Sequence, residues 1–313
     1  MNAIGQPVGY QRAVYDELRE IAADFFDFDW MRLPVVPRTN VLLVGSTGGG
    51  KTFLCRRLAT ELGLPLLDTE YANWVVTGAG TRGGMHTLRL IYTFVQRYAR
   101  GIIVLDEVDK IGTDQASDWT RSVHLEVFAL LDKRVLSGVI EGDDPNENSP
   151  RFRMTGEEIQ ARLLRGHLVI GAGAWQHLWQ RVPSVGFAEV DEPASQLPTY
   201  KELVELIRPE ILNRFNSKAL FLPPLSRLDY QSLVEETLRS LPENFRPIMR
   251  EAALATVDQA LEMQKGFRWI EELVGQAIRV LRPAASKNTL TQETAARLCS
   301  PQPTVTEEID AAI

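Results

Sequence analysis

Gly45-Ser46-Thr47-Gly48-Gly49-Gly50-Lys51-Thr52 follows the pattern G-x-x-x-x-G-K-[ST]. Glycines let the backbone wrap around phosphate oxygens, so that successive N–H groups and the N-terminus of the next helix face negative charge. A lysine at this spacing reaches the β- and γ-phosphates of a nucleoside triphosphate, and the adjacent hydroxyl ligates Mg²⁺. The chemistry implied is ATP binding, with Gly45, Ser46, Thr47, Gly48, Gly49 and Gly50 as the cradle. Lys51 is the catalytic cation and Thr52 a metal ligand. An ordinary glycine-rich turn between a strand and a helix explains the glycines but not the Lys-Thr pair after them.

Ile102-Ile103-Val104-Leu105-Asp106-Glu107 supplies the second half of such a site. Four apolar residues carry a strand into a core, and two carboxylates emerge at its C-terminal end, the edge where open α/β sheets bind ligands. Asp106 is the second expected metal ligand. Glu107 is the residue expected to orient and activate the attacking water, since phosphoryl transfer depends chiefly on positioning and charge neutralisation. Alone, the pair reads equally well as a strand ending in a solvated acidic turn. The phosphate loop upstream tips the balance.

Short, uniformly apolar runs must position these residues. Residues 40–44, 64–67, 102–105, 167–170 and 219–222 read as strands of a parallel sheet covered on both faces. Helix-length segments such as 51–62 and 87–100 lie between them, an alternation that predicts a three-layer αβα domain. The pattern changes at Pro223-Pro224, beyond which only helical periodicity appears, with Leu228, Leu233, Val234 and Leu238 forming one stripe. Further helices are expected at 247–264, 269–282 and 291–298, divided by Pro242, Gly266 and Pro283. The expected organisation is an α/β nucleotide-binding domain over 1–222, a small all-helical lid over 223–300 and a loose tail over 301–313. The acidic, turn-rich stretch 141–150 reads as an exposed loop.

Composition sets the frame. The 313 residues are 44% hydrophobic and 24% charged, the mix of a globular protein able to bury a core without metal or disulfides. A net charge of −7 disfavours a nucleic-acid surface without excluding a local basic groove. Cys55 and Cys299 form no Cys-x-x-Cys pair, so neither a zinc module nor a disulfide framework is expected. No run approaches the roughly 20 apolar residues of a membrane span, and the first residues lack a signal-peptide pattern, so a cytoplasmic protein is expected.

With these motifs in order, the chain resembles the AAA+ ATPases, and within them the ClpX/HslU protein unfoldases. Ile4-Gly5-Gln6, with Ala13 and Val14 on the following helix, is similar to the family's motif beside the adenine. Asp106-Glu107-Val108-Asp109-Lys110-Ile111 is close to the D-E-I-D-K-I of that clade, and Arg208-Pro209-Glu210-Ile211-Leu212-Asn213-Arg214-Phe215 resembles the segment whose arginine completes a neighbour's site. Gly266-Phe267-Arg268 matches the lid's sensor-2 G-x-R. The resemblance implies ATP and Mg²⁺ as cofactors, with Ile4 and Phe53 contacting nucleotide. Arg268 would be a phosphate contact in cis and Arg214 a catalytic arginine in trans, with Arg208 the weaker candidate. A trans arginine implies a homo-oligomer, by analogy a hexameric ring. The partners implied are a protein substrate and an adaptor or peptidase, with no membrane and nucleic acid not favoured.

The chain also departs from the family. After the fourth strand, Gly171-Ala172-Gly173-Ala174 stands where a polar sensor is usual, and Gln176 is too far along to assign. Trp74-Val75 stands where a pore-loop pair would grip polypeptide, without the glycine before it, and a core tryptophan is an equal reading. Val185-Gly186-Phe187 resembles the tripeptide with which such rings dock on a peptidase, although Phe187 packing against its own domain is the commoner outcome. Two readings compete with an ATP-driven unfoldase: an ATP-dependent regulator or loader acting on nucleic acid, and a nucleotide-binding scaffold with little turnover.

Overall fold

The computed structural model describes residues 7, 9–28, 32–33, 35, 37–71, 74, 86–111, 118–141, 152–179, 197–216, 218–263 and 265–285. Five strands, β1 (Val41–Gly45), β2 (Leu66–Glu70), β3 (Gly101–Asp106), β4 (His167–Gly173) and β5 (Ala219–Leu222), form one sheet in the order β2-β3-β4-β1-β5. Every pairing is parallel.

Alternate side chains of each strand enter different cores, the expected consequence of a two-residue repeat. Leu42, Val44, Ile103, Leu105 and Val169 pack with α3 (His86–Arg97), α4 (Asp118–Leu131) and α6 (Gly156–Gly166). Val41, Leu43, Ile102, Val104, Leu168 and Ile170 pack with α1 (Gly9–Asp27) and α2 (Lys51–Leu62). Helices therefore cover both faces of the sheet, and the predicted three-layer αβα fold is present. The short helix α5 (Ser137–Glu141) precedes α6, while α7 (Tyr200–Leu206) and α8 (Pro209–Leu212) lead into β5.

One strand differs from its expected place. The apolar run 64–67 begins inside a helix stop. Gly63, at φ 63°, ends α2, and the Gly63 and Leu64 N–H groups donate to the Thr60 and Ala59 carbonyls. This Schellman closure uses Leu64 as the apolar residue just past the helix. β2 then runs on through Asp68, Thr69 and Glu70, polar residues tolerated because the strand lies at the sheet edge and pairs only with β3.

Beyond Leu222 the described residues hold only helices: α9 (Arg227–Ser240), α10 (Arg246–Glu262) and α11 (Phe267–Ala285). Ser226 opens α9 with a reciprocal capping box to Asp229. Tyr230, Leu233, Leu238, Met249, Trp269 and Leu273 share a third core, the helical lid expected from the sequence. The expected helix 291–298 and tail 301–313 lie outside the described residues. Among those described, no helix is long and apolar enough to cross a membrane.

Candidate nucleotide site

The C-terminal ends of the strands converge. Register places Gly45 beside Leu222, Val44 beside Gly173 and Glu70 beside Asp106. A cavity of about 1040 Å³ opens there, between the sheet edge, the N-terminal half of α2 and the start of α11. Its lining includes Thr47, Gly48, Gly50, Lys51, Thr52, Phe53, Asp106, Glu107 and Arg268, so the sequence-predicted residues from three distant segments meet in one place.

Gly48 and Gly50 take φ values of 75° and 89°, the left-handed geometry that turns the loop back before α2. Lys51, 9% exposed, donates from Nζ to the Gly45 and Ser46 carbonyls at 2.7 and 3.1 Å. Burial lowers its pKa, Asp106 and Asp109 oppose that shift, and Arg268 lies near enough to add to it. The ammonium is thus fixed inside the curve of the loop, where oxyanions restore what desolvation removes.

Thr52 Oγ1 donates to Asp106 Oδ2 at 2.8 Å, and Asp106 Oδ1 accepts from the Glu107 N–H at 2.8 Å. Two hard oxygen donors this close fit Mg²⁺, which takes one or two protein ligands and completes its shell with phosphate oxygens and water. In keeping with that, no group of three or more His, Cys, Asp or Glu among the described residues forms a metal cage by itself. Glu107 stands at φ 60° and opens a 3₁₀ turn, Val108–Lys110. Lys110 Nζ ion-pairs with Glu107 Oε1, and this hydrogen bond raises the lysine pKa.

Several residues of the site escaped sequence reasoning. Tyr10 Oη and Gln11 Nε2, from α1, both donate to the Gly49 carbonyl, at 2.9 and 3.1 Å. The Phe267 N–H donates to the Gly48 carbonyl at 2.8 Å, so the lid is bonded directly to the phosphate loop. That approach needs glycine on both sides: a Cβ on Gly266 would stand 2.2 Å from Gly48 O, and one on Gly48 2.4 Å from Lys265 O. Tyr230 Oη accepts the Gly266 N–H at 2.8 Å and donates to Ala260 O at 3.2 Å, holding the lid's contact loop in place. Phe267 also stacks on Phe53, with ring centroids 5.9 Å apart. Glu70, Asp109 and Glu271 add acidic groups to the cavity wall. Burial, then Glu107 and Asp106, raise the Glu70 pKa. For Glu70 a signal existed, three polar residues closing an apolar run. The α1 and lid contacts are tertiary and left none.

The other expectations divide. Ala174 lines the cavity after β4, and its carbonyl accepts from Trp179 Nε1 at 2.7 Å. Gln176 is exposed and outside the cavity, so 171–176 places no polar sensor side chain there. Trp74 corrects the pore-loop expectation: it is 2% exposed and packed in the core beneath β2 and α3, where its ring cannot grip a substrate. Arg214 lies outside the cavity of its own chain. Its Nε is 3.2 Å from Asp132 Oδ1, an ion pair without hydrogen-bond geometry, and its guanidinium sits 4.3 Å over the Phe128 ring. It also donates to the Glu210 carbonyl. Arg208 is exposed before α8. Ile4, with Gly5 and Gln6, and the Val185-Gly186-Phe187 tripeptide lie outside the described residues, as do Val75 to Gly78.

Comparison with known proteins agrees with this geometry at the level of the superfamily. Residues 41–140 match the model described as "ATPase family associated with various cellular activities (AAA)". Curated relatives include the katanin p60 A-like 1 ATPase of Oryctolagus cuniculus, 30% identical over 115 residues, 36% of this chain and 23% of the relative. The proteins of that name from Rattus norvegicus and Homo sapiens match to the same extent. The chain thus spans under a quarter of those relatives' length. The similarity supports an AAA ATPase domain and does not single out the ClpX/HslU unfoldases. The family match covers β1 to α5 and reaches neither 208–215 nor 266–268, the segments that carried the narrower resemblance. The parallel sheet, the phosphate loop and the paired carboxylates are those of an ATPase, and residues 41–140 are similar to the ATPase core of the AAA family.

Proposed function

We propose that the chain is an ATP-driven remodeller of protein substrates that works as an oligomer, by analogy a hexameric ring, with Arg214 of one copy completing the site of the next. The observation that carries this reading is the division of cations. Lys51 and Arg268 line the cavity with Asp106 and Glu107, whereas Arg214 is held outside it, in the segment that resembles a trans-acting finger. Mg²⁺, held by Thr52 and Asp106 and by phosphate oxygens, neutralises charge on the β- and γ-phosphates. Lys51 and Arg268 orient the phosphates, Phe53 and Phe267 wall the nucleotide, and Glu107 takes the proton from the attacking water.

The stretch 106–111 and the finger segment, both similar to the ClpX/HslU proteins, favour polypeptide as the client. The net charge of −7 points the same way. With Trp74 in the core, any gripping residue lies elsewhere. The test is capture on Glu107→Gln, a variant that binds ATP and does not turn it over. The expected result is an ATP-dependent assembly retaining a protein client, together with any adaptor or peptidase. ATP-dependent, salt-sensitive retention of nucleic acid in its place would overturn the reading in favour of a nucleic-acid loader. Turnover unchanged by Glu107→Gln would leave only a nucleotide-binding scaffold.

A further inference from the structure

The loop from Glu107 to Lys110 is closed twice. The Lys110 N–H donates to the Glu107 carbonyl at 2.9 Å, and the Lys110 ammonium returns to Glu107 Oε1. Glu107 holds its left-handed backbone at φ 60° within this turn. Its other oxygen, Oε2, is buried and accepts no hydrogen bond from the described residues. Both residues line the nucleotide cavity. The surroundings make the placement of Glu107 a problem of charge. Glu70, Asp106 and Asp109 share the wall with it, and their repulsion drives a free carboxylate out toward solvent.

We propose that Lys110 is a positioning residue for hydrolysis: it anchors Glu107 Oε1 so that Oε2 faces the cavity as the acceptor for the attacking water. The reasoning is that of a base oriented by a third group. A carboxylate with one oxygen fixed by an ammonium three residues on, across a closed turn, has a single remaining oxygen to offer, and here that oxygen is the buried one. Asp106 is committed elsewhere, to Thr52 and to the Glu107 N–H, so it does not take this role. Lys110 touches the base and not the phosphates, and its effect belongs in turnover, not in binding. The inference rests on Glu107 being the water-activating residue.

Steady-state ATPase of Lys110→Met and Lys110→Arg, with fluorescent ATP-analogue binding and thermal melting on each, tests the proposal. For Lys110→Met, kcat falls about tenfold or more, the loss of one well-oriented acid–base interaction. KM and analogue affinity stay within about twofold, and Lys110→Arg recovers most of the rate because it restores the ion pair. Adding Lys110→Met to Glu107→Gln lowers the residual rate no further. An unchanged or raised kcat in Lys110→Met overturns the proposal, as does a loss confined to KM or to folding. Failure of the underlying reading looks different: Glu107→Gln itself would then turn over ATP at the wild-type rate.

Discussion

At the scale of single residues, the groups that do chemistry were legible and those that hold them were not. Lys51, Thr52, Asp106 and Glu107 announce themselves because each motif fixes residue type and spacing within a few positions. Glu126 shows the opposite case. Nothing in the sequence marks it, yet it is buried on α4, accepts the backbone N–H of Leu88 in the first turn of α3, and has its pKa raised by burial from 4.5 to about 7. A carboxyl whose folded pKa lies above its unfolded value binds more protons when folded. Its stabilising contribution is full below pH 4.5 and is lost as pH rises to about 7. Lys133 works in the other direction: burial takes its pKa from 10.5 to about 7, so stability rises with pH across that window. Comparing Glu126→Gln with wild type at each pH isolates the carboxyl. The glutamine keeps an oxygen for Leu88 and never ionises. Denaturant melts are expected to show no difference below pH 4.5 and a gain of about 1–3 kcal/mol above pH 7. A gain independent of pH would show that packing, not ionisation, sets the effect.

At the scale of elements, the αβα order, the helix over 51–62 and the helical character after Pro223 were readable from periodicity. The bounds of β2 were not, because the apolar run there belongs partly to the stop of α2. The joint between loop and lid was equally hidden, since it unites residues 48 and 266. Gly266 sits at φ 58°, and its Cα faces the Gly48 carbonyl so closely that alanine has no room. Gly266→Ala is expected to break the Phe267-to-Gly48 hydrogen bond and shift the lid, with Phe267 and Arg268, off the nucleotide. ATP affinity should fall by roughly tenfold or more, about 1.4 kcal/mol, and the melting temperature by several degrees. Gly63→Ala is the control. It carries a similar φ of 63° with nothing within 4 Å of a new Cβ. It should lose about 1 kcal/mol of stability through backbone strain and leave ATP affinity unchanged. Equal effects of the two on affinity would show that strain, not the joint, governs binding.

At the scale of the whole molecule, the distribution of charge gives the assembly its logic. One region presents a cavity rich in carboxylates, and another holds Arg214 against Asp132 and Phe128, with Asn40 Nδ2 donating to the Arg214 carbonyl at 2.8 Å. An interface that joins two unlike surfaces of identical chains is heterologous, and it closes into a ring or propagates as a spiral. If Arg214 serves the neighbour, its loss and the loss of Glu107 fall on different copies of each composite site. Arg214→Ala and Glu107→Gln should each bring turnover close to background while leaving ATP binding intact. Mixed in equal amounts and allowed to exchange, they should regain activity. A site between an Arg214→Ala copy, which keeps Glu107, and a Glu107→Gln copy, which keeps Arg214, has both groups when they meet in the productive order. Random pairing at a heterologous interface makes roughly a quarter of the sites complete, so about a quarter of wild-type turnover is the expected ceiling. Recovery that appears only on mixing, and grows with total concentration, requires the arginine to act across copies. No recovery, with assembly confirmed by sedimentation, would return Arg214 to a structural role beside Asp132.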